Sequence, residues 1–423
     1  MDAVQRTRQC CRTQNTEDRQ AGNGTKQICL SMDRETYDRI WHDAAAVRAE
    51  VEAAIERFPE LFPPAITQGF RLTGCLPESA KLPGIRLRQL RLCNDEVYTL
   101  RPSFVLPYMV GFADDVEYPL RLMEHGVPPW LVAEKFGHDA HYWDRLVERF
   151  GRNSLVGTTV RDPEQLPAHL TADEHHTDWC GEKGYIPITA GAGCVLGIAL
   201  TPSADDENLT QAYGTFSAEA RQVDPEYSPD TVNTDGWAAT QKAWNALFPL
   251  VAVILCFLHG FLKIRDRCRK AFELHQRVWD VYRASCKAVF TRRMNAFRSW
   301  TESQSWPAAV REVLAKLWNR APEYARAYDH PGCRRTSNMV DRLTNRLYRV
   351  LYAHRGVHGH RRTSEWRLRG WALLHNFCPF APRAGKPREF ESPAHRLNKK
   401  RYHDNWLQDL LISASLGGYR LQT

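Results

Sequence analysis

Residues 231–244 read TVNTDGWAATQKAW: a short β-branched run, then Asp-Gly-Trp, then a helix-forming segment. A strand that stops at an acid and passes straight into a helix is how an open α/β sheet presents chemistry at the carboxyl ends of its strands. Asp235 is therefore read as a catalytic or metal-binding carboxylate, with a plain Asp-Gly turn as the competing reading. Its surroundings must decide between them.

Upstream, HLTADEHH reads as a strand ending at Asp173, and YIPITAGAGCVLGIAL, residues 185–200, as two paired strands. A helix is expected over Glu207–Val223, then TVNT as a strand ending at Asp235, a helix over Ala239–Leu247, and VAVILCFLH as a buried strand. A basic helical stretch from Lys263 to roughly Arg326 follows. Ser337 then opens a helix whose Val340, Leu343, Leu347 and Leu351 form a stripe able to pack on a sheet. The fold class is mixed α/β (α+β), and the order β, β-β, α, β, α, β is that of a ribonuclease-H-like core. Such a core sets Asp173 and Asp235 side by side, within reach of the same divalent ions; Asp178 is the alternative first acid. Hard oxygen ligands suit Mg²⁺ or Mn²⁺, and two ions ~4 Å apart serve an in-line phosphoryl displacement.

The organisation outside that core is read in pieces. Residues 1–30 are a mobile polar tail, and 31–115 an N-terminal α/β domain with a helical Met32–Phe62 and a hairpin turning at Asn94-Asp95. Residues 116–157 fall into three short helices divided at Gly126-Val127 and Gly137, a helix-turn-helix-like pattern in which Asp139 caps the third helix. His141, Tyr142, Arg145 and Arg149 would then face a major groove, but the acids Glu117, Glu124, Glu134, Asp139, Asp144 and Glu148 leave a purely structural unit as the alternative. Residues 158–262 and 333–382 form the two parts of the catalytic core, 263–332 the basic insertion, and 383–423 a basic tail. In that tail Lys399, Lys400 and Arg401 stand beside apolar Trp406, Leu407, Leu410 and Leu411.

Charge supports a polyanionic partner. Residues 261–423 hold 33 Lys and Arg against 13 Asp and Glu, a net of +20, while the first 260 residues carry −12. Neutralising phosphates releases counterions, so DNA or RNA fits this half. The run Lys263, Arg265, Arg267, Arg269 and Lys270, together with Arg342, is read as phosphate-binding, against a merely solvated helix face. The 12 cysteines show no Cys-x-x-Cys spacing, which suits reduced thiols better than a disulfide framework or a zinc ribbon. The longest apolar run, Phe248–Leu258, is too short to span a bilayer and contains Pro249. The expected location is cytoplasmic and nucleoid-associated, with no membrane partner.

Asp173 in TADEHH, Asp235 in NTDGW, the Cys256-Phe-Leu-His259 run on the next strand and the long helical insertion before a final acid together resemble the DDE transposases of the Mutator-like kind found in bacterial insertion sequences. The resemblance implies an enzyme that cuts at the ends of a mobile element and joins the 3′-ends to target DNA, with double-stranded DNA as partner, an N-terminal end-binding region and a homodimer on DNA. TSNMVDR, residues 336–342, is similar to the stretch that leads into the family's glutamate, but Asp341 stands at that place and Asn338 beside it. Asp173, Asp235 and Asp341 are thus the expected catalytic and metal-binding triad, with Glu365 as the fallback third acid. Cys256 and His259 lie near the site, and Trp237 either packs or stacks on an unpaired base. Two other classes stay open: a DNA-binding protein that has lost catalysis, and a nuclease that cleaves without joining.

Overall fold

The computed structural model describes residues 26–382 and 389–419. β1 (Gln27–Leu30), β2 (Phe70–Cys75), β3 (Arg88–Leu92) and β4 (Val97–Pro102) form a sheet in the order β1-β4-β3-β2, with β1 parallel to β4 and the other pairs antiparallel. The supposed tail therefore ends earlier than the sequence suggests: Ile28, Cys29 and Leu30 are buried, which makes QICL a strand, while residues 1–25 lie outside the described residues. Met32–Phe62 is two helices, α1 (Arg34–Ile40) and α2 (Ala44–Arg57), because the Asp33 and Asp43 side chains each cap a new start.

The three expected short helices are present as α3 (Ala113–Glu124), α4 (Pro129–Phe136) and α5 (Ala140–Phe150), followed by α6 (Leu155–Thr159). Asp139 caps α5, accepting from the Tyr142 amide at 2.7 Å. Next come β5 (His169–Trp179), β6 (Glu182–Gly191), β7 (Cys194–Ile198), α7 (Asp206–Val223), β8 (Thr231–Thr234), α8 (Ala238–Leu247) and β9 (Ala252–Leu255). These strands make the central sheet, ordered β7-β6-β5-β8-β9, with β8 parallel to both β5 and β9 and the β5-β6-β7 meander antiparallel. The class is mixed α/β.

Beyond β9 the chain is helical: α9 (Phe257–Arg267), α10 (Phe272–Tyr282), α11 (Lys287–Glu302), α12 (Ala308–Asn319), α13 (Ala321–Ala325), α14 (Asn338–Ala353), α15 (Arg361–Phe377), α16 (Pro393–Asn398) and α17 (Trp406–Ser413). VAVILCFLH is thus only half a strand. After four residues the ladder ends and the amphipathic run from Phe257 coils, burying Phe257, Phe261 and Ile264. No helix among the described residues is long and apolar enough to cross a membrane.

Alternation divides the central sheet. Leu170, Ala172, Leu196 and Val232 pack under α7 and α8, while Ile186, Ile188, Ala190 and Ile198 join the larger core shared with α14, α15, the N-terminal sheet and α17. The insertion has its own cluster, centred on Phe261, Leu274, Phe290, Met294 and Leu314. α5 crosses α15 so closely that a Cβ on Gly370 would overlap the Val147 carbonyl oxygen, and one on Gly151 the Trp366 carbonyl oxygen.

The C-terminal segment is not a tail. α17 is buried along its whole length, and Arg161, between α6 and β5, reaches into it: its guanidinium donates to both Asp409 carboxylate oxygens at 2.6 and 2.8 Å and to the Lys400 carbonyl, 4.0 Å from the Tyr402 ring centroid. Both side chains of the ion pair are 3% exposed or less. Asp409→Ala leaves this cation buried without its counter-charge and is expected to cost about 3–5 kcal/mol in urea unfolding. Arg161→Met combined with Asp409→Leu, which removes both charges, is expected to cost much less; equal losses would show that the pair is not what holds the C-terminus.

Candidate functional site

The parallel pairing of β5 with β8 sets Thr171 opposite Asn233. Two residues further along each strand stand Asp173 and Asp235, so the two acids share one level on neighbouring strands ~4.8 Å apart. Contrary to the sequence reading, β5 does not end at Asp173 but runs on to Trp179, because its antiparallel pairing with β6 continues to Glu182 after β8 has stopped. Asp178 lies at that far end, where its Oδ1 accepts from the Gly181 amide in the turn, and so is not the first acid of this pair.

The Asp-Gly-Trp stretch now has a physical account. Asp235 Oδ1 accepts from the Trp237 amide at 2.8 Å, turning the chain from β8 into α8. Gly236 has φ +92°, and a Cβ there would collide with Leu255 and the Arg320 guanidinium. The turn residue and the carboxylate at the strand end are one and the same.

α14 brings the third acid. Its start is fastened across the strand ends: the Asn233 side chain donates to the Arg334 carbonyl at 3.0 Å, the Phe257 amide to the Arg335 carbonyl at 3.1 Å, and the Ser337 amide to Cys256 Sγ at 3.1 Å. Cys256 Sγ in turn donates to Ser337 Oγ at 3.3 Å, and Ser337 Oγ to Asp341 Oδ2 at 3.0 Å. Cys256 and His259 are therefore not on a strand: Cys256 caps the start of α9 and His259 sits in its first turn, which turns the imidazole back toward the acids.

The charges of this group act on one another. Burial, then the negative charges of Glu174, Asp235 and Asp341, push the Asp173 carboxyl up to about 7, while His259 opposes the shift. Burial likewise raises Asp341 above its usual range. His259 is raised to about 9, first by its interaction with Cys256 and further by Asp173 and Asp341. The site thus sets three acids beside an imidazole of raised basicity.

Hard oxygen donors suit Mg²⁺ or Mn²⁺. Each carboxylate uses one oxygen on a local donor: Asp173 Oδ1 takes the Glu174 amide, Asp235 Oδ1 the Trp237 amide and Asp341 Oδ2 Ser337 Oγ. The second oxygen of each has no hydrogen bond among the described residues. The donor chemistry and the mutual repulsion fit divalent cations, although among the described residues no three acidic, His or Cys side chains converge as a group on one point.

The remaining expected residues are scattered. Glu365 lies at the β7 edge of the sheet, accepting from the Leu200 amide at 3.3 Å and from Arg361 at 3.1 Å, and does not join the acids as a third ligand. Asn338 is the exposed first residue of α14, and Trp237 is 37% exposed with its ring 6.2 Å from Tyr185. Lys263, Arg265, Arg267, Arg269, Lys270 and Arg342 are all exposed. The cluster after α16 is occupied internally: Lys400 pairs with Asp162 at 3.1 Å, Arg401 with Glu391 and Asp404, and Lys399 covers the Phe390 ring. On α5, His141 and Arg145 are exposed, whereas Tyr142 stacks on His138 at 4.0 Å and Arg149 lies 5.9 Å from the Tyr108 ring. Asp144 and Glu148 hold Arg367 of α15, so the acids of this segment fasten it to the core.

Three contributors were not singled out from the sequence. Glu174 points away from Asp173 and accepts from Tyr213 Oη at 2.6 Å and Thr240 Oγ1 at 2.7 Å, tying β5 to α7 and α8. The i, i+1 alternation of ADEHH was its signal. Arg320, held by Glu323 at 2.8 Å, approaches Gly236 and had no local signature; Ser337, read only as the opening residue of α14, carries the link to Asp341.

No protein-family model matches the sequence, and no curated protein matches it.

The raised acids fix a pH dependence. The unfolded chain releases the Asp173 proton near 3.8 and the folded chain near 7, so this contribution to stability is fully present below 3.8 and lost as pH rises toward 7. Asp173→Asn, which cannot ionise, is expected to unfold at higher denaturant than the parent at pH 8 in chelator and to show a flatter stability profile between pH 4 and 7. Added Mn²⁺ should raise the melting temperature of the parent more at pH 8 than at pH 5; a parent profile parallel to that of Asp173→Asn would refute the coupling.

Proposed function

We propose that this chain is a DDE-type transposase, a nucleic-acid phosphoryl-transfer enzyme with a ribonuclease-H-like core interrupted by a helical insertion. The observation that carries the reading is the placement of Asp173 and Asp235 at one level on adjacent parallel strands, with Asp341 presented by the first helix after the insertion. The order of elements, three antiparallel strands, helix, strand, helix, strand, then the insertion and α14, supports the core assignment.

In this reading Asp173, Asp235 and Asp341 would hold two Mg²⁺ or Mn²⁺ ions, which when bound activate a water or a DNA 3′-hydroxyl and stabilise the leaving oxygen. The protein's own residues set the conditions. Protonated His259 supplies a positive charge that limits repulsion among the acids, and the Cys256–Ser337 link fixes where Asp341 points. That link also bears on the missing methylene of Asp relative to Glu, because it holds the shorter side chain from behind. The exposed run from Lys263 to Lys270 and Arg342 supplies cations for the DNA backbone. A homodimer synapsing two element ends, acting on double-stranded DNA in the cytoplasm, belongs to the same reading.

A second reading is favoured by one feature: the three carboxylates do not converge as they stand. A protein that keeps the fold and binds DNA without cutting it would have that arrangement. Cleavage and strand joining on DNA carrying the flanks of the gene, with Mg²⁺ or Mn²⁺, separates the two. The expected result is joined product from the parent and a loss of at least about 100-fold in Asp235→Ala and Asp341→Ala, as removal of a charge-stabilising group costs, with DNA binding retained. Binding without cleavage by the parent selects the second reading, and cleavage without joining selects a nuclease. Duplex affinity should fall with salt at a log–log slope near ~−0.9 per phosphate contacted, a slope that replacing Lys263, Arg267 and Lys270 by Gln should make shallower.

A further inference from the structure

α14 does more than carry Asp341. On the face that begins with this acid, Asn345, Tyr348 and Tyr352 follow at i+4, i+7 and i+11, one above another along the helix. The neighbouring stripe, Val340, Leu343, Leu347 and Leu351, about 100° around the helix, is buried in the core. The two tyrosines are left out of it: Tyr348 is 53% and Tyr352 75% exposed.

Their rings are arranged in steps. His175 stands two residues beyond Asp173 on β5, hence on the same face, and its ring meets Tyr348 edge-on at 6.0 Å. Tyr348 and Tyr352 follow at 6.2 Å with their planes 36° apart. From the helical rise, Tyr348 lies ~10 Å and Tyr352 ~16 Å along α14 from Asp341, so the row leads outward from the acidic site. Arg342, Arg349 and Arg355 accompany it, all exposed and without an ion pair among the described residues.

We infer that this row is a binding track for a single-stranded segment of nucleic acid leading to or from the acidic site, with unpaired bases stacking on Tyr348 and Tyr352 and the backbone following Arg342, Arg349 and Arg355. Exposed aromatics stepped along a cationic surface provide base stacking without sequence readout and suit a flexible single strand, whose bases are free to turn toward the rings, better than a duplex, whose bases are already stacked. Stacked nucleotides rise ~3.4 Å each, so a strand engaged at Asp341 reaches Tyr348 in about three nucleotides. The inference rests on the phosphoryl-transfer reading for its direction, because it names the form of substrate that leaves that site.

The test is fluorescence anisotropy of the full chain with a labelled single-stranded oligonucleotide and, separately, its duplex, in chelator so that no divalent ion takes part. Tyr348→Ala and Tyr352→Ala are each expected to weaken single-strand binding about tenfold or more, with duplex binding changed less than about twofold, and Tyr352→Trp to restore the single-strand affinity. Both side chains are exposed, and an unchanged melting temperature checks the fold of each variant. Equal losses on the two forms, no loss on the single strand, or no single-strand binding by the parent would each overturn the track. These outcomes are separable from the cleavage assay: a parent that cuts and joins DNA in an Asp235-dependent way, but whose tyrosine variants bind single strands normally, keeps the transposase reading and loses the track.

Discussion

The buried pair of Arg161 with Asp409 is the joint on which the rest of the molecule depends. Arg161 immediately precedes the central sheet, and its guanidinium is enclosed by α17, the Lys400 carbonyl and the Tyr402 ring. Around it the Asn398 side chain accepts from the Arg161 amide at 2.9 Å and donates to the Thr159 carbonyl at 2.8 Å. Two charges in an apolar interior are tolerated only when they are paired, and here the two terminal guanidinium nitrogens are engaged while Nε has no hydrogen-bond partner among the described residues. The C-terminal helices therefore cannot leave without exposing a buried cation, and the last described residues of the chain fasten onto the N-terminal sheet and the start of α6, where Ser415 Oγ accepts from the Cys29 amide and the Gly417 carbonyl from the Ser154 amide. The N-terminal sheet, α3 and α15 complete the same core.

That support matters because the acidic site is itself unfavourable. Asp173, Glu174 and Asp341 are all raised by burial, and Asp173 also by its acidic neighbours. The fold holds them in place from behind: Tyr213 and Thr240 on Glu174, Ser337 on Asp341, and the Asp235 turn locked by Gly236. Electrostatic repulsion is sustained by hydrogen bonds on the side of each group that faces the protein, leaving one oxygen each of Asp173, Asp235 and Asp341 without a hydrogen bond among the described residues.

The elements that carry their own local signal were legible in the sequence. An apolar, β-branched run interrupted by glycine announced β6 and β7, the helical stripe announced α14, Asp139 the start of α5, and the two acids fell at one level on neighbouring strands as read. Where the reading failed, a distant partner decided the outcome. β5 outruns Asp173 because β6, not β8, sets its length. Cys256 and His259 lie at a helix start because the apolar run after Leu255 buries one face against the insertion rather than two faces in a sheet. QICL was assigned to a tail because its charged and polar neighbours masked a short apolar run whose burial involves a segment 386 residues away, as the Cys29 amide donating to Ser415 Oγ shows; WLQDLLIS, whose apolar residues stood out, packs into the core instead of extending from it. The cations of 399–401 read as a patch, but Lys400 and Arg401 are taken by acids and Lys399 lies over the Phe390 ring. Glu365, a plausible acid by spacing, was claimed by Arg361 and the end of β7.

The insertion leaves the central sheet at Phe257 and returns at Arg335, two residues joined by a backbone hydrogen bond of 3.1 Å. With its departure and return clasped in this way, and with an apolar cluster of its own, the helical excursion is topologically a side loop. The entropic cost of closing such a loop grows only with the logarithm of its length. The geometry at its root is therefore insulated from what happens at its tip: the helices between α9 and α13 can be lengthened, shortened or re-decorated while α14 returns Asp341 to the same face of the sheet as Asp173.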